Sequence, residues 1–126
     1  MRKILTCLLS LLGLTSACGQ SAFENVDVKG FADLVADTSV VVLDVRTAEE
    51  FAEGHLLRAL NVDVKKSRFV EQAKAVLPAE RTIGVYCRSG RRSAMACALL
   101  ADEGYKVVNL KGGILAWTEA KMPVAK

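Results

Sequence analysis

Ile83-Gly84-Val85-Tyr86-Cys87-Arg88-Ser89-Gly90-Arg91-Arg92-Ser93, followed by Ala94-Met95-Ala96-Cys97-Ala98-Leu99-Leu100-Ala101, is the stretch that decides the fold class. Residues 83–86 are apolar without alternation, the pattern of a strand covered on both faces. Polar and glycine residues then take over from 88 to 92. From 94 the chain is apolar nearly all round, which predicts a buried helix over 93–102 whose alanines allow close approach to a sheet. Gly104 ends it in the C-cap region, and Ser93 is placed at or near its N-cap. A buried strand, a short polar loop and a buried helix in succession make one unit of an α/β fold.

The same alternation extends in both directions. Val40-Val41-Val42-Leu43 is a second apolar run and ends at Asp44. Val107-Val108 and Ala59-Leu60-Asn61-Val62 are shorter strand candidates, and a short strand is placed near 24–26. Helices are predicted over 28–36, with Phe31, Leu34 and Val35 on one face, and over 67–76, stopped by Pro78. A short helix over 48–52 has Thr47 as N-cap with Glu50 three residues later, a capping-box pattern. A last helix covers 114–120. The expectation is an α/β three-layer domain: a mostly parallel central sheet of about five strands flanked by helices.

The chain has 126 residues, enough for one domain, and at 52% hydrophobic and 25% charged it is not disordered. Its first stretch differs from the rest. Arg2 and Lys3 form a basic region, residues 4–14 are mostly apolar, and Thr15-Ser16-Ala17 is small: the layout of a bacterial secretory signal peptide over 1–17. The apolar run is too short to cross a bilayer, which takes about 20 residues. Cys18-Gly19-Gln20-Ser21 resembles a lipoprotein processing site, with Cys18 acylated as the mature N-terminus. Thr15 stands where that pattern usually has a large aliphatic residue, and ordinary signal peptidase would cut the same bond. Residues 18–22 then form a tether and 23–126 the folded domain. The expectation is export to the bacterial cell envelope or periplasm, with a lipid anchor at Cys18 as the only membrane contact.

Setting Arg2 and Lys3 aside, 15 of the 17 basic residues face 14 acidic ones. Bulk charge therefore gives no support for nucleic-acid binding or general adhesion to membranes. Of the four cysteines, Cys7 falls in the leader and Cys18 at its processing site. Cys87 and Cys97 remain, and with Cys97 well inside the helix the two are too far apart to bridge.

In open α/β sheets, ligands bind beyond the carboxyl ends of the strands. Asp44-Val45-Arg46 and the Cys87 loop both exit there. A loop running into a helix N-terminus aims several backbone N–H groups at one point. The helix dipole and the guanidiniums of Arg88, Arg91 and Arg92 add positive potential. Each effect favours thiolate over thiol, and the thiolate is the nucleophile. Cys87 is therefore the candidate nucleophile. Arg88, Ser89, Gly90, Arg91 and Arg92 form the candidate cradle for a persulfide or a small oxyanion, with one or two arginines on the anion and the others facing water.

These residues resemble those of the rhodanese-like sulfurtransferases. Cys87-Arg88-Ser89-Gly90-Arg91-Arg92 is similar to that family's six-residue active-site loop. Leu43-Asp44-Val45-Arg46, then Glu50-Phe51 and Glu53-Gly54-His55-Leu56, with Ala59 and Asn61, is similar to its motif after the second strand. Leu110-Lys111-Gly112-Gly113 and Trp117 resemble its C-terminal motif. The resemblance spans about residues 24–122.

The resemblance implies a single-domain sulfurtransferase that needs no metal or cofactor. Cys87 would take the sulfane sulfur of a small anionic donor such as thiosulfate and pass it from a persulfide to cyanide, a thiol or a protein cysteine. It implies that Asp44 and Arg46 support nearby loops, and that His55, the single histidine, belongs to a structural turn rather than acting as a base. Cys97 is assigned to the core, Trp117 to packing and Gly112-Gly113 to a turn. The chain is expected to be a monomer or weak dimer. A cysteine phosphatase or arsenate reductase on this fold needs a loop one residue longer, with Arg six positions after the Cys; here that position is Ser93. A non-catalytic binding module commonly lacks the cysteine.

Overall fold

The computed structural model describes residues 23–126. The signal-peptide, tether and Cys18 readings lie outside the described residues. In chain order the elements are β1 (Glu24–Val26), α1 (Val28–Val35), β2 (Val41–Asp44), α2 (Ala48–Glu53), β3 (His55–Leu56), β4 (Leu60–Asn61), α3 (Phe69–Val76), β5 (Ile83–Tyr86), α4 (Arg91–Asp102), β6 (Val107–Leu110), α5 (Gly113–Glu119) and β7 (Val124–Ala125). Five strands form a parallel sheet in the order β1-β6-β5-β2-β4. The three-layer α/β expectation holds.

Successive strand residues point to opposite faces, so each apolar strand feeds two cores. Ile83, Val85 and Cys87 join Leu43 and Val45 in a cluster with Phe69 and Ala73 of α3 and Ala96, Cys97 and Leu100 of α4. Val42 and Tyr86 face the other way, onto Phe31 of α1 and Ile114 and Trp117 of α5. Phe31 and Trp117 meet edge to face, with centroids 6.0 Å apart. β5 lies between β2 and β6, so its carboxyl end opens at the middle of the sheet.

The Thr47–Glu50 capping box forms as its sequence pattern requires. Thr47 Oγ1 accepts the Glu50 N–H at 3.2 Å, and Glu50 Oε1 accepts the Thr47 N–H at 3.0 Å. Three local readings are corrected. The third helix starts at Phe69 rather than 67, because a turn from Lys66 O to the Phe69 N–H precedes it. The fourth starts at Arg91 rather than Ser93. Gly90, with a φ of +103°, occupies the cap, and Ser93 lies inside the first turn. That helix is also not buried all round: Met95 is 57% exposed and Leu99 37%. In addition, β3 and β7 pair antiparallel, His55 opposite Ala125, in a small second sheet that the sequence did not announce.

Candidate active site

Cys87 follows the last residue of β5 and is 1% exposed. Its Sγ accepts the Gly90 N–H at 3.1 Å and the Ser93 hydroxyl at 3.3 Å. Burial pushes the thiol pKa up. The Ser93 hydroxyl and the backbone N–H groups of Ser93, Gly90 and Ser89 outweigh it, so the net shift is below the ordinary 9.0. The main stabilisers of the thiolate are thus peptide dipoles and one hydroxyl.

The loop holds this shape because its carbonyls are engaged elsewhere. The Ile114 N–H donates to Cys87 O at 2.9 Å and the Leu115 N–H to Arg88 O at 3.1 Å. The start of α5 therefore binds the back of the loop, and the following N–H groups are left to face the sulfur. Gly113 makes this approach possible. It has a φ of +62°, and a Cβ there would lie 2.6 Å from Cys87 O and collide with the Arg88 carbonyl. On the other side, Asn109 Nδ2 bridges Gly90 O at 3.3 Å and Asn25 Oδ1 at 2.8 Å.

The three arginines diverge. Arg92 makes a two-pronged ion pair with Glu50, Nη1 to Oε1 at 2.8 Å and Nη2 to Oε2 at 2.9 Å. Hydrogen bonding from Arg92 is the leading reason why the Glu50 carboxyl is held at about 2. Burial opposes that shift, and the Thr47 amide and hydroxyl support it. Arg88 and Arg91 are exposed and make no ion pair among the described residues.

Asp44 and Arg46 form a buried pair beside this loop. Arg46 Nη2 donates to Asp44 Oδ2 at 2.7 Å and to Gly54 O at 2.6 Å, and Nε reaches Oδ1 at 3.0 Å. Tyr86 stands opposite Asp44 in register and donates its hydroxyl to Oδ2 at 2.6 Å. The same hydroxyl accepts the Leu56 N–H at 3.0 Å. Burial is the first cause that raises the Tyr86 phenol, and the Asp44 charge is the second. Asn61 Nδ2 adds bonds to Asp44 O and Arg46 O. One network thus ties the β2 exit, the turn before β3, β4 and β5 together.

His55 stacks on Phe51 at 3.9 Å, and its Nδ1 meets Leu56 O at 3.0 Å, so its contacts are those of a turn. Cys97 is fully buried and its thiol is pushed up to about 12, by burial first and then by the Cys87 charge. Both thiols are free. Trp117 packs, and its indole N–H donates to Pro123 O. An apolar cavity of about 200 Å³ borders Val42, Leu56, Trp117 and Met122 on the α1–α5 face; no residue of the Cys87 loop lines it.

Residue reading singled out Cys87, its loop, Asp44 and Arg46, and missed the roles of Tyr86, Asn109 and the start of α5. Strand alternation held a clue to the first. Tyr86 ends β5 and Cys87 directly follows it, so the two face opposite sides, and a phenol turned into an apolar core needs a polar partner.

The model of the rhodanese-like domain matches residues 27–120. The chain belongs to the rhodanese-like domain family. It is 37% identical over 103 residues to a sulfurtransferase of Allochromatium vinosum, covering 80% of this chain and 94% of that one. It is 39% identical over 94 residues to thiosulfate sulfurtransferase 18 of Arabidopsis thaliana, covering 65% and 69%. The crystal structure of a rhodanese-related protein from Thermoplasma volcanium superposes with a TM-score of 0.73 at 28% identity, over 82% of this chain and 98% of that one. These relatives support sulfur transfer as the general class of chemistry for this rhodanese-like domain.

Proposed function

We propose that this chain is a thiosulfate-type sulfurtransferase acting through a persulfide on Cys87. The observation that carries the proposal is the state of Sγ: buried, bonded by the Gly90 N–H and the Ser93 hydroxyl, and lowered in pKa. The thiolate attacks the outer sulfur of thiosulfate, the donor S–S bond breaks, and sulfite leaves with the bonding pair. The persulfide that remains is an anion in the same ring of N–H groups. Cyanide or a thiolate then takes the outer sulfur, and Cys87 returns as thiolate. Arg88 and Arg91 meet the incoming anion, and Ser89 and Gly90 line the cradle. Arg92 holds the loop through Glu50, and Ser93, Asp44 and Arg46 support it.

Mass measurement tests this directly. Thiosulfate should add about 32 Da, one sulfur atom, to Cys87, and cyanide should remove it as thiocyanate. Absence of both adduct and turnover rejects sulfur transfer, and turnover retained in Cys87→Ser rejects the nucleophile. Hydrolysis of an aryl phosphate or reduction of arsenate in its place would favour oxyanion chemistry.

We also propose that the protein is exported and starts at Cys18 when mature, on the composition of residues 1–17. The intact mass of protein extracted from membranes checks this. A lipid adduct on Cys18 supports anchoring, and an unmodified chain retaining Met1 rejects both export and anchoring.

A further inference from the structure

We infer that the sulfur acceptor is a protein whose cysteine is set among carboxylates beside an apolar contact, and that the rim of the Cys87 loop docks it. This rests on the persulfide reading above.

Cys87 is 1% exposed, so the outer sulfur, about 2 Å beyond Sγ, is the atom that reaches the mouth. Three cations lie in or next to the loop: Arg88 and Arg91 within it, and Lys111, directly after β6, whose Cα is 3.9 Å from where a Cβ on Gly90 would be. All are exposed, and none has an ion pair among the described residues. Arg92 is different, since Glu50 neutralises it.

Apolar side chains stand beside these cations. Met95 lies four residues after Arg91 on α4, so the two share a helix face. Leu115 donates its N–H to Arg88 O, which puts it directly behind the loop. Met95 is 57% exposed and Leu115 45%. α4, which begins in the loop, and α5, which packs on the back of it, thus each carry an exposed apolar side chain near Arg88 and Arg91. Thiosulfate and cyanide gain nothing from exposed Met and Leu side chains. Apolar flanks around unpaired cations match a protein surface with opposite charge and an apolar patch.

Transfer within such a complex balances without an oxidant. The partner thiolate attacks the outer sulfur, the bond between that sulfur and Sγ breaks, and Cys87 leaves as thiolate while the partner cysteine becomes the persulfide.

The test loads the protein with thiosulfate, removes the donor, and confirms the persulfide by mass and by discharge to cyanide. Discharge is then timed against two cysteine peptides of equal length, one with Asp, Glu and Leu around the cysteine and one with Lys and Leu, with rates expressed per thiolate. The acidic peptide should react about tenfold faster at low ionic strength, and salt should erase the difference. Met95→Asp should slow the acidic peptide by about threefold or more and leave cyanide discharge unchanged, and Lys111→Gln should slow the acidic peptide by about threefold or more and cyanide by less. Equal peptide rates, or variants that slow cyanide and peptide alike, overturn the docking inference while the persulfide reading stands. Failure of the wild-type chain to load sulfur rejects that reading, and docking with it.

Discussion

Ser93 Oγ lies 3.3 Å from Cys87 Sγ because α4 begins at Arg91, which puts Ser93 in the first helical turn rather than before it. Its hydroxyl and its backbone N–H both act on the same sulfur. The helix start is therefore part of the thiolate site, through particular donors as well as its dipole.

Ser93→Ala should keep the backbone donors and lose the hydroxyl. The Cys87 pKa should rise. A hydrogen bond to a charged acceptor contributes about 1.5 kcal/mol, so the pH profile of alkylation by iodoacetamide should move up by about one pH unit, with the rate on its acid side falling by about tenfold. Ser93→Thr should restore most of the rate. An alanine variant with an unchanged pH profile of alkylation would remove Ser93 from this role.

The Glu50–Arg92 pair gives a prediction in pH. The Glu50 carboxyl sits at about 2 in the folded chain against 4.5 for the ordinary group, so folding favours its ionised form. The stability it contributes is complete above about 4.5 and is lost as pH falls towards 2. Glu50→Gln should therefore destabilise by about 1–2 kcal/mol at pH 7, with the gap to wild type narrowing as pH falls from about 4.5 towards 2. Urea titrations at pH 7 and at pH 3 measure it. A gap independent of pH would show that the carboxylate charge is not the stabilising feature.

The extent to which sequence foretold this molecule follows the range of the interactions. The β5–loop–α4 unit is local, and its run of apolar, polar and apolar residues was enough to place Cys87 at a strand end. Thr47 and Glu50 are three residues apart, and their capping box followed from spacing. Arg92 lies 42 residues from Glu50, and nothing near either one shows the pairing. Tyr86 and Asp44 are likewise 42 residues apart and meet only through strand register. Hydropathy began α4 at Ser93 because Arg91 and Arg92 are polar, whereas Gly90 in a left-handed conformation starts the helix ahead of them. The β3–β7 pair is two residues long on each side, too short for periodicity to register.

Tyr86 provides a stability test of the buried network. Tyr86→Phe keeps the ring and removes the hydroxyl, which orphans the Leu56 N–H and takes one donor from Asp44. The orphaned Leu56 N–H is the main loss and costs about 1–3 kcal/mol, since Asp44 keeps its bonds from Arg46. Asp44→Ala should cost more, about 3–5 kcal/mol, because it leaves the Arg46 guanidinium buried without its counter-charge. Denaturant midpoints of the two variants rank them, and the reverse order would reject Asp44 as the centre of the network.

Gly113 separates loop geometry from overall stability. A Cβ there collides with the Arg88 carbonyl, so Gly113→Ala must push the start of α5 off the loop and break the bonds to Cys87 O and Arg88 O. The loop N–H groups then lose their fixed aim at the sulfur. Gly104 is the matched control: its φ is also positive, at +94°, but nothing lies within 4 Å of a Cβ placed there. Gly104→Ala should cost about 1 kcal/mol of stability and leave sulfur transfer unchanged. Gly113→Ala should lower thiocyanate production by about a hundredfold, since misplacement of a reacting group by about 1 Å has that effect. If the two variants lost activity equally, conformational strain alone would explain both, and the contact between α5 and the loop would have no part in positioning Cys87.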